Sequence, residues 1–181
     1  MVENNKSKTQ SLWTAVLAVL AVVCVMVQAA VAVEQIEIYK YLEGYTLYRL
    51  ITFRVIGVVA PLVILVTVLI REYTVALGTL MGYYVIYASI YMAGLFVTPD
   101  ISITAIVYFV YHLTAAVILL VILAKGMKLS AAFICCCVLQ TVWVLYYLCH
   151  TIRNINWLGL TGTVASAAIL ICLTGLMKEE G

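Results

Sequence analysis

Charge is scarce in this sequence, and acidic charge is confined to its breaks and ends. Charged residues make up 10% of the 181 positions against 66% hydrophobic, and the mean hydropathy is +1.17. Soluble domains carry roughly 25% charged residues. With so few here, a soluble globular fold is excluded, because no polar shell is left to cover the apolar surface. The formal net charge of +2 is small and dispersed, which argues against a nucleic-acid partner. Glu3, Glu34, Glu37, Glu43, Glu72, Asp100, Glu179 and Glu180 all lie outside the long apolar runs. A cation-coupled transporter built on a mid-membrane acid, or an intramembrane aspartyl protease, therefore lacks its carboxylate. Binding of a neutral solute or an anion stays open. Gly-x-Ser-x-Gly, His-Glu-x-x-His, phosphate-loop and dinucleotide fingerprints are also missing, so no catalytic residue is assigned. The six cysteines form no Cys-x-x-Cys pair.

What is present is a run of apolar residues repeated six times: Leu12–Val33, Leu50–Ile70, Tyr73–Val97, Ile103–Ala124, Leu129–Cys149 and Leu158–Met177. A bilayer core about 30 Å thick takes roughly 20 apolar residues of α-helix to cross. Lipid-exposed backbone must satisfy its own hydrogen bonds, so each run is expected to be helical. The fold class is an all-α, polytopic transmembrane bundle in a single domain, integral to a plasma or inner membrane. Six spans put both termini on one side. With termini inside, the cytoplasmic face holds Lys6, Lys8, Arg71, Lys125, Lys128 and Lys178, and the outer face Lys40, Arg49 and Arg153, with Arg54 just within a span. That asymmetry favours cytoplasmic termini. The first run ends in Ala30-Val31-Ala32, like a signal cleavage site. It is longer than the about 7–15 residues of a signal core, and a retained helix is expected.

Between the spans, Arg71-Glu72 is so short that the second and third helices must be antiparallel neighbours. The Lys125–Lys128 break is similar. Residues 34–49 form the longest break and carry Tyr39, Tyr41, Tyr45 and Tyr48. They read as an outer interfacial loop, with Tyr41, Tyr45 and Tyr48 on one face if it is a short interfacial helix. A lid or docking loop is the other reading.

The third span divides into two faces at about 100° per residue. Gly78, Gly82, Val85, Ser89 and Ala93 fall on one side, Tyr84, Tyr87 and Tyr91 on the other, with Tyr83 on the flank. Gly78-x-x-x-Gly82 is a small-xxx-small pattern that lets backbones approach, and packing within the bundle is expected ahead of a homodimer. The first span has an alanine stripe with Gln28, and the sixth has Gly159, Gly162 and Ser166 at small-residue spacing. Both are expected to pack closely in the bundle or against a partner.

A phenol hydroxyl unpaired in hydrocarbon costs several kcal/mol. Tyr87, near mid-span, therefore either bonds a neighbouring helix or lines a polar cavity. His112, midway along the fourth span, needs both a donor and an acceptor partner, and Tyr87 or Tyr91 is a candidate for one. Gln140, near Trp143 on the fifth span, has the same requirement. Arg54 lies a turn into the second span and either snorkels to the headgroups or faces inward towards Glu43 or an anion. Pro61 is expected to kink that helix. His150, Arg153, Asn154, Asn156 and Trp157 with Arg54 and Asp100 suggest an outer vestibule. Consecutive Cys135, Cys136 and Cys137 point to different sides of a helix, Cys24 and Cys172 read as small apolar residues, and only Cys149 lies near the surface. No disulfide, metal site, haem or other cofactor is expected.

Three readings remain. One is a non-enzymatic channel or transport component, or an integral subunit of a larger assembly, with the bilayer and a homo-oligomer or other membrane subunits as partners. Another is a small-molecule-binding component, such as a transporter's binding subunit or a ligand sensor, with a pocket or pathway of Tyr84, Tyr87, Tyr91, His112, Gln140 and Arg54. The last is an intramembrane enzyme using His112 and tyrosines.

Overall fold

The structure, a computed structural model, describes residues 2–34, 40–97, 102–152 and 157–180, with side chains for 11–34, 40–97, 102–152 and 157–178. Six helices account for almost all of them: α1 (Val2–Glu34), α2 (Gly44–Leu69), α3 (Tyr73–Val97), α4 (Ile103–Leu123), α5 (Leu129–Thr151) and α6 (Trp157–Glu180). Each contains a segment long and apolar enough to cross a membrane, and the described residues include no strand. This is an all-helical, multi-pass integral membrane protein.

The helices follow chain order around a closed ring. Each packs on the next, α6 returns to α1, and α3 also reaches α6 across the ring. The α4–α5 pairing is the loosest. Chain termini share one end of the bundle with the α2–α3 and α4–α5 turns.

The outer surface is a continuous belt of aliphatic side chains, among them Val19, Val66, Leu113, Leu120, Val138 and Val142. Ser89, Thr114 and Thr141 lie in this belt, and each hydroxyl donates to the carbonyl four residues earlier in its own helix, at 2.7–2.8 Å. In lipid such a bond removes the cost of an unsatisfied hydroxyl without a neighbouring helix.

Both tight turns end their helices in the same way. Arg71 and Lys125 take left-handed backbone conformations, with φ of 63° and 55°. The next amide donates five residues back, Glu72 to Thr67 at 2.8 Å and Gly126 to Val121 at 3.0 Å. This is a Schellman closure with a cation where glycine is usual. A non-glycine residue costs about 1–2 kcal/mol in this conformation, while a cation at a helix C-terminus recovers about 0.3–1 kcal/mol from the macrodipole.

One expectation about helix limits needs correction. α2 begins at Gly44, so Tyr45 and Tyr48 belong to its first turns rather than to a separate interfacial helix. The Tyr45 hydroxyl donates to the Ile90 carbonyl on α3, and Gly94 makes room for it, since a Cβ there would stand 2.8 Å from that oxygen. Tyr41 stays outside the helix and exposed. Pro61 lies inside α2 and is buried in the bundle. Glu37, Tyr39, Asp100, Arg153, Asn154 and Asn156 lie outside the described residues.

The Gly78–Gly82 stripe does not pack within the bundle. A Cβ on either glycine would meet nothing within 4 Å, and Val85, Ser89 and Ala93 are exposed. The reason lies on the opposite face, where the tyrosines claim the interior and turn the small residues outward.

Candidate functional site

All six helices contribute to a cavity of about 300 Å³ in the half of the bundle away from the termini. Four of its lining residues are Tyr83, Tyr84, Tyr87 and Tyr91 on α3, and α4 adds Tyr108, Tyr111 and His112. Their spacing of three and four residues places them on one helical face. Trp143 and Tyr147 of α5 and Phe53 of α2 extend the aromatic wall, and Gly159, Gly162 and Ser166 of α6 form a low wall. Gly162 also lets α6 approach α1, because a Cβ there would lie 3.1 Å from Val27 Cγ1.

The floor is a polar cluster shared by three helices. Tyr111 Oη donates to Gln140 Oε1 at 2.7 Å, Gln140 Nε2 donates to Tyr84 Oη at 3.4 Å, and the two phenol oxygens are 3.5 Å apart. Gln140 and Tyr84 are each 1% exposed. The arrangement satisfies a buried amide and two buried hydroxyls together, which hydrocarbon demands. The Tyr111 ring stacks on Trp143 with centroids 3.8 Å apart and planes 5° apart, bridging α4 and α5 where these helices pair most loosely.

His112, 5% exposed, stands in the wall. Its Nδ1 lies 2.6 Å from the Tyr108 carbonyl. A carbonyl only accepts, so Nδ1 carries the proton and Nε2 is the acceptor in the neutral ring. Tyr87 and Tyr91 meet His112 through their rings, with centroids 5.1 and 5.5 Å away, so the expected hydrogen bond from either is replaced by ring contact. Tyr87 instead donates to the Phe53 carbonyl on α2 at 3.2 Å, while its ring lines the cavity. Both readings of Tyr87 therefore describe the same side chain.

Arg54 faces inward. Its Nη1 donates to Gln28 Oε1 on α1 at 2.7 Å. Gly57 permits this contact: a Cβ at that position would stand 2.8–2.9 Å from the Gln28 side chain. Among the described residues that line the cavity, Arg54 is the one with a formal charge and none is an acid. A second cavity of about 360 Å³ lies alongside, sharing Tyr91 and Tyr108 as its wall, and Arg49 is the charged residue among the described residues that line it.

The structure thus brings Tyr84, Tyr87, Tyr91, His112 and Arg54 to one cavity and puts Gln140 beneath it. Gly159, Gly162 and Ser166 line the same space, whereas Gly78, Gly82 and Ser89 stand apart on the outer surface. Trp157 and His150 are exposed at the cavity's end of the bundle, and His150 stacks on Tyr146. All six cysteines are free. Among the described residues no cluster of His, Cys, Asp and Glu could hold a metal ion. Sequence reasoning missed Tyr111, Gln28 as the partner of Arg54, and Gly57. An isolated glutamine in an apolar run was the available signal for Gln28. Comparison with protein-family models, characterised proteins and solved structures finds no match for this chain.

Proposed function

We propose that this is a non-enzymatic membrane protein that binds a small molecule within its helical bundle, as a transport component or ligand sensor. The observation that carries this reading is the cavity of about 300 Å³ with a hydrogen-bonded floor and contributions from every helix. Ligand sites are typically concavities of about 300–1,000 Å³, lined by apolar and aromatic groups with a few fixed polar atoms. Below the floor the bundle closes on Leu77, Leu119 and Leu173, each 0% exposed. A void that ends in a packed core supports binding over a pore through the single chain.

Partner subunits form a second part of the proposal. The Gly78, Gly82 and Ser89 stripe leaves α3 able to approach another helix closely, which favours a second copy or a further membrane subunit. Native mass spectrometry from mild detergent tests both parts. A defined small molecule retained by wild type and lost from Gly159→Trp, which fills the cavity, is the expected result. Protein of bare chain mass that retains no small molecule in either form would defeat the binding reading, and the subunit count reports on the partner.

A further inference from the structure

The imidazole of His112 sets one polar contact for any molecule held in the cavity. Its Nδ1 proton is committed to the Tyr108 carbonyl, 2.6 Å away and one turn earlier in α4. The neutral ring then keeps a single further polar function, the acceptor lone pair on Nε2. The side chain is 5% exposed and lines the cavity. Its other contacts are with rings: Tyr84, Tyr87, Tyr91, Tyr108, Tyr111 and Trp143 have centroids 4.9–6.3 Å away. Among the described residues none donates to Nε2. A buried acceptor without a donor is costly, and a donor that arrives with the ligand removes that cost.

The rings around His112 also define the shape of the partner. The Nε2 lone pair lies in the imidazole plane, so a donor reaches it at the ring edge. One imidazole face is stacked on Tyr87 with planes 21° apart, and Phe53 continues that stack at 4.5 Å and 23°. Trp143 stands nearly perpendicular to His112, at 73°, and to Tyr108, at 85°. The wall therefore presents both faces and edges of rings. A flat aromatic body gains offset-stacked and edge-to-face contact against such a wall. A puckered aliphatic ring of similar size gains burial alone. The volume, about 300 Å³, is at the small end for ligand sites.

We propose that the cavity takes a small aromatic hydrogen-bond donor of the phenol or indole kind, its ring among the tyrosines and its O–H or N–H donated to His112 Nε2. This rests on the reading of the cavity as a binding site. The test is calorimetric titration of the full chain in lipid nanodiscs, with heats taken against empty nanodiscs because the probes partition into lipid. 4-Methylphenol should bind about 5-fold more tightly than 4-methylanisole, in which a methyl replaces the donated proton, and indole should exceed 1-methylindole by a similar factor. 4-Methylcyclohexanol keeps the hydroxyl without the flat ring and should bind about 5-fold more weakly than 4-methylphenol. In His112→Phe, which keeps a ring in the wall, 4-methylphenol and 4-methylanisole should come within about 2-fold of each other. The comparisons within wild type do not depend on that variant folding. A second readout is independent of affinity. The chain has two histidines, so nitrogen-15 histidine labelling in His150→Gln leaves one imidazole to observe. Its Nε2 resonance should move upfield with 4-methylphenol and stay in place with 4-methylanisole. Equal binding of the donor probes and their methylated forms, or an Nε2 resonance unmoved at saturation, overturns the donor contact and leaves the binding reading intact. Binding of 4-methylcyclohexanol as tight as that of 4-methylphenol overturns the aromatic assignment. Failure of all five probes, together with no co-purified molecule, removes both the assignment and the reading it rests on.

Discussion

At the end of the bundle that carries the termini, Leu17, Ile64, Leu77, Leu119, Cys136 and Leu173, one from each helix, meet with none more than 1% exposed. At the other end the same helices surround a void of about 300 Å³. The two ends share helices, ring order and lipid belt, so the contrast comes from side chains alone. Aliphatic residues interdigitate and close a six-membered ring of helices. Rings of tyrosine and tryptophan are larger and flatter, and their hydroxyls must find partners. They prop the helices apart and leave space between them. The boundary is the Tyr84–Tyr111–Gln140 cluster, where the polar half completes its hydrogen bonds before the aliphatic half begins. At the far end of the aliphatic half a groove of about 560 Å³, lined by Ser11, Ala15 and Arg71 among others, lies between α1 and the α2–α3 turn. Leu17, Ala21 and Leu77, each 0% exposed, lie between that groove and the cavity.

If the closed half is what holds the bundle together, its substitutions should be the costliest. Leu173→Ala is expected to destabilise by about 2–5 kcal/mol, since a fully packed site relaxes little around a new cavity. Equilibrium unfolding in mixed micelles would measure it, and a loss below about 1 kcal/mol would erase the distinction between the halves. Gly57→Ala comes next, at about 1–3 kcal/mol, because the added methyl overlaps Gln28. The same experiment reads it. Gln140→Leu probes the boundary itself. Removal of the amide leaves the Tyr111 hydroxyl without its acceptor, at a cost of about 1–2 kcal/mol by unfolding. A gain in stability would mean that the floor serves specificity alone.

The smallest effect sharpens the contrast between inside and outside. Gly78→Ala and Gly82→Ala meet open space and should change the unfolding free energy of the single chain by less than about 1 kcal/mol, in the stabilising direction given alanine's higher helix propensity. A loss greater than that, or a fall in subunit count by native mass spectrometry, would show that another helix covers the stripe.

Much of this organisation was legible in the residues. Length and apolarity give six helices, because hydrocarbon permits little else for an exposed backbone. The two faces of α3 follow from 3.6-residue periodicity, and the need of Tyr87, His112 and Gln140 for partners follows from what hydrocarbon charges for a bare polar group. The identity of the partners did not follow. Tyr111 and Gln140 lie 29 positions apart, and Arg54 and Gln28 lie 26 apart. Which of several hydroxyls or amides meets which depends on relative helix depth and rotation, and no local pattern encodes those. The same limit explains the Gly78 stripe. Two faces were visible on α3, but small residues permit close packing while bulky rings demand space, and the fold resolved that competition for the ring interior.

The sequence by itself determined that the chain crosses a membrane six times, that its spans hold no mid-membrane acid, and which side chains cannot remain unpartnered there. Those properties are local, fixed by composition and helical period. Only the tertiary structure decided that the aromatic residues of α3, α4 and α5 converge in one half, that Gln28 and Gly57 set the position of Arg54, and that the other half closes. Those are properties of how six cylinders of unequal girth pack in a ring, and they exist only once all six are in place.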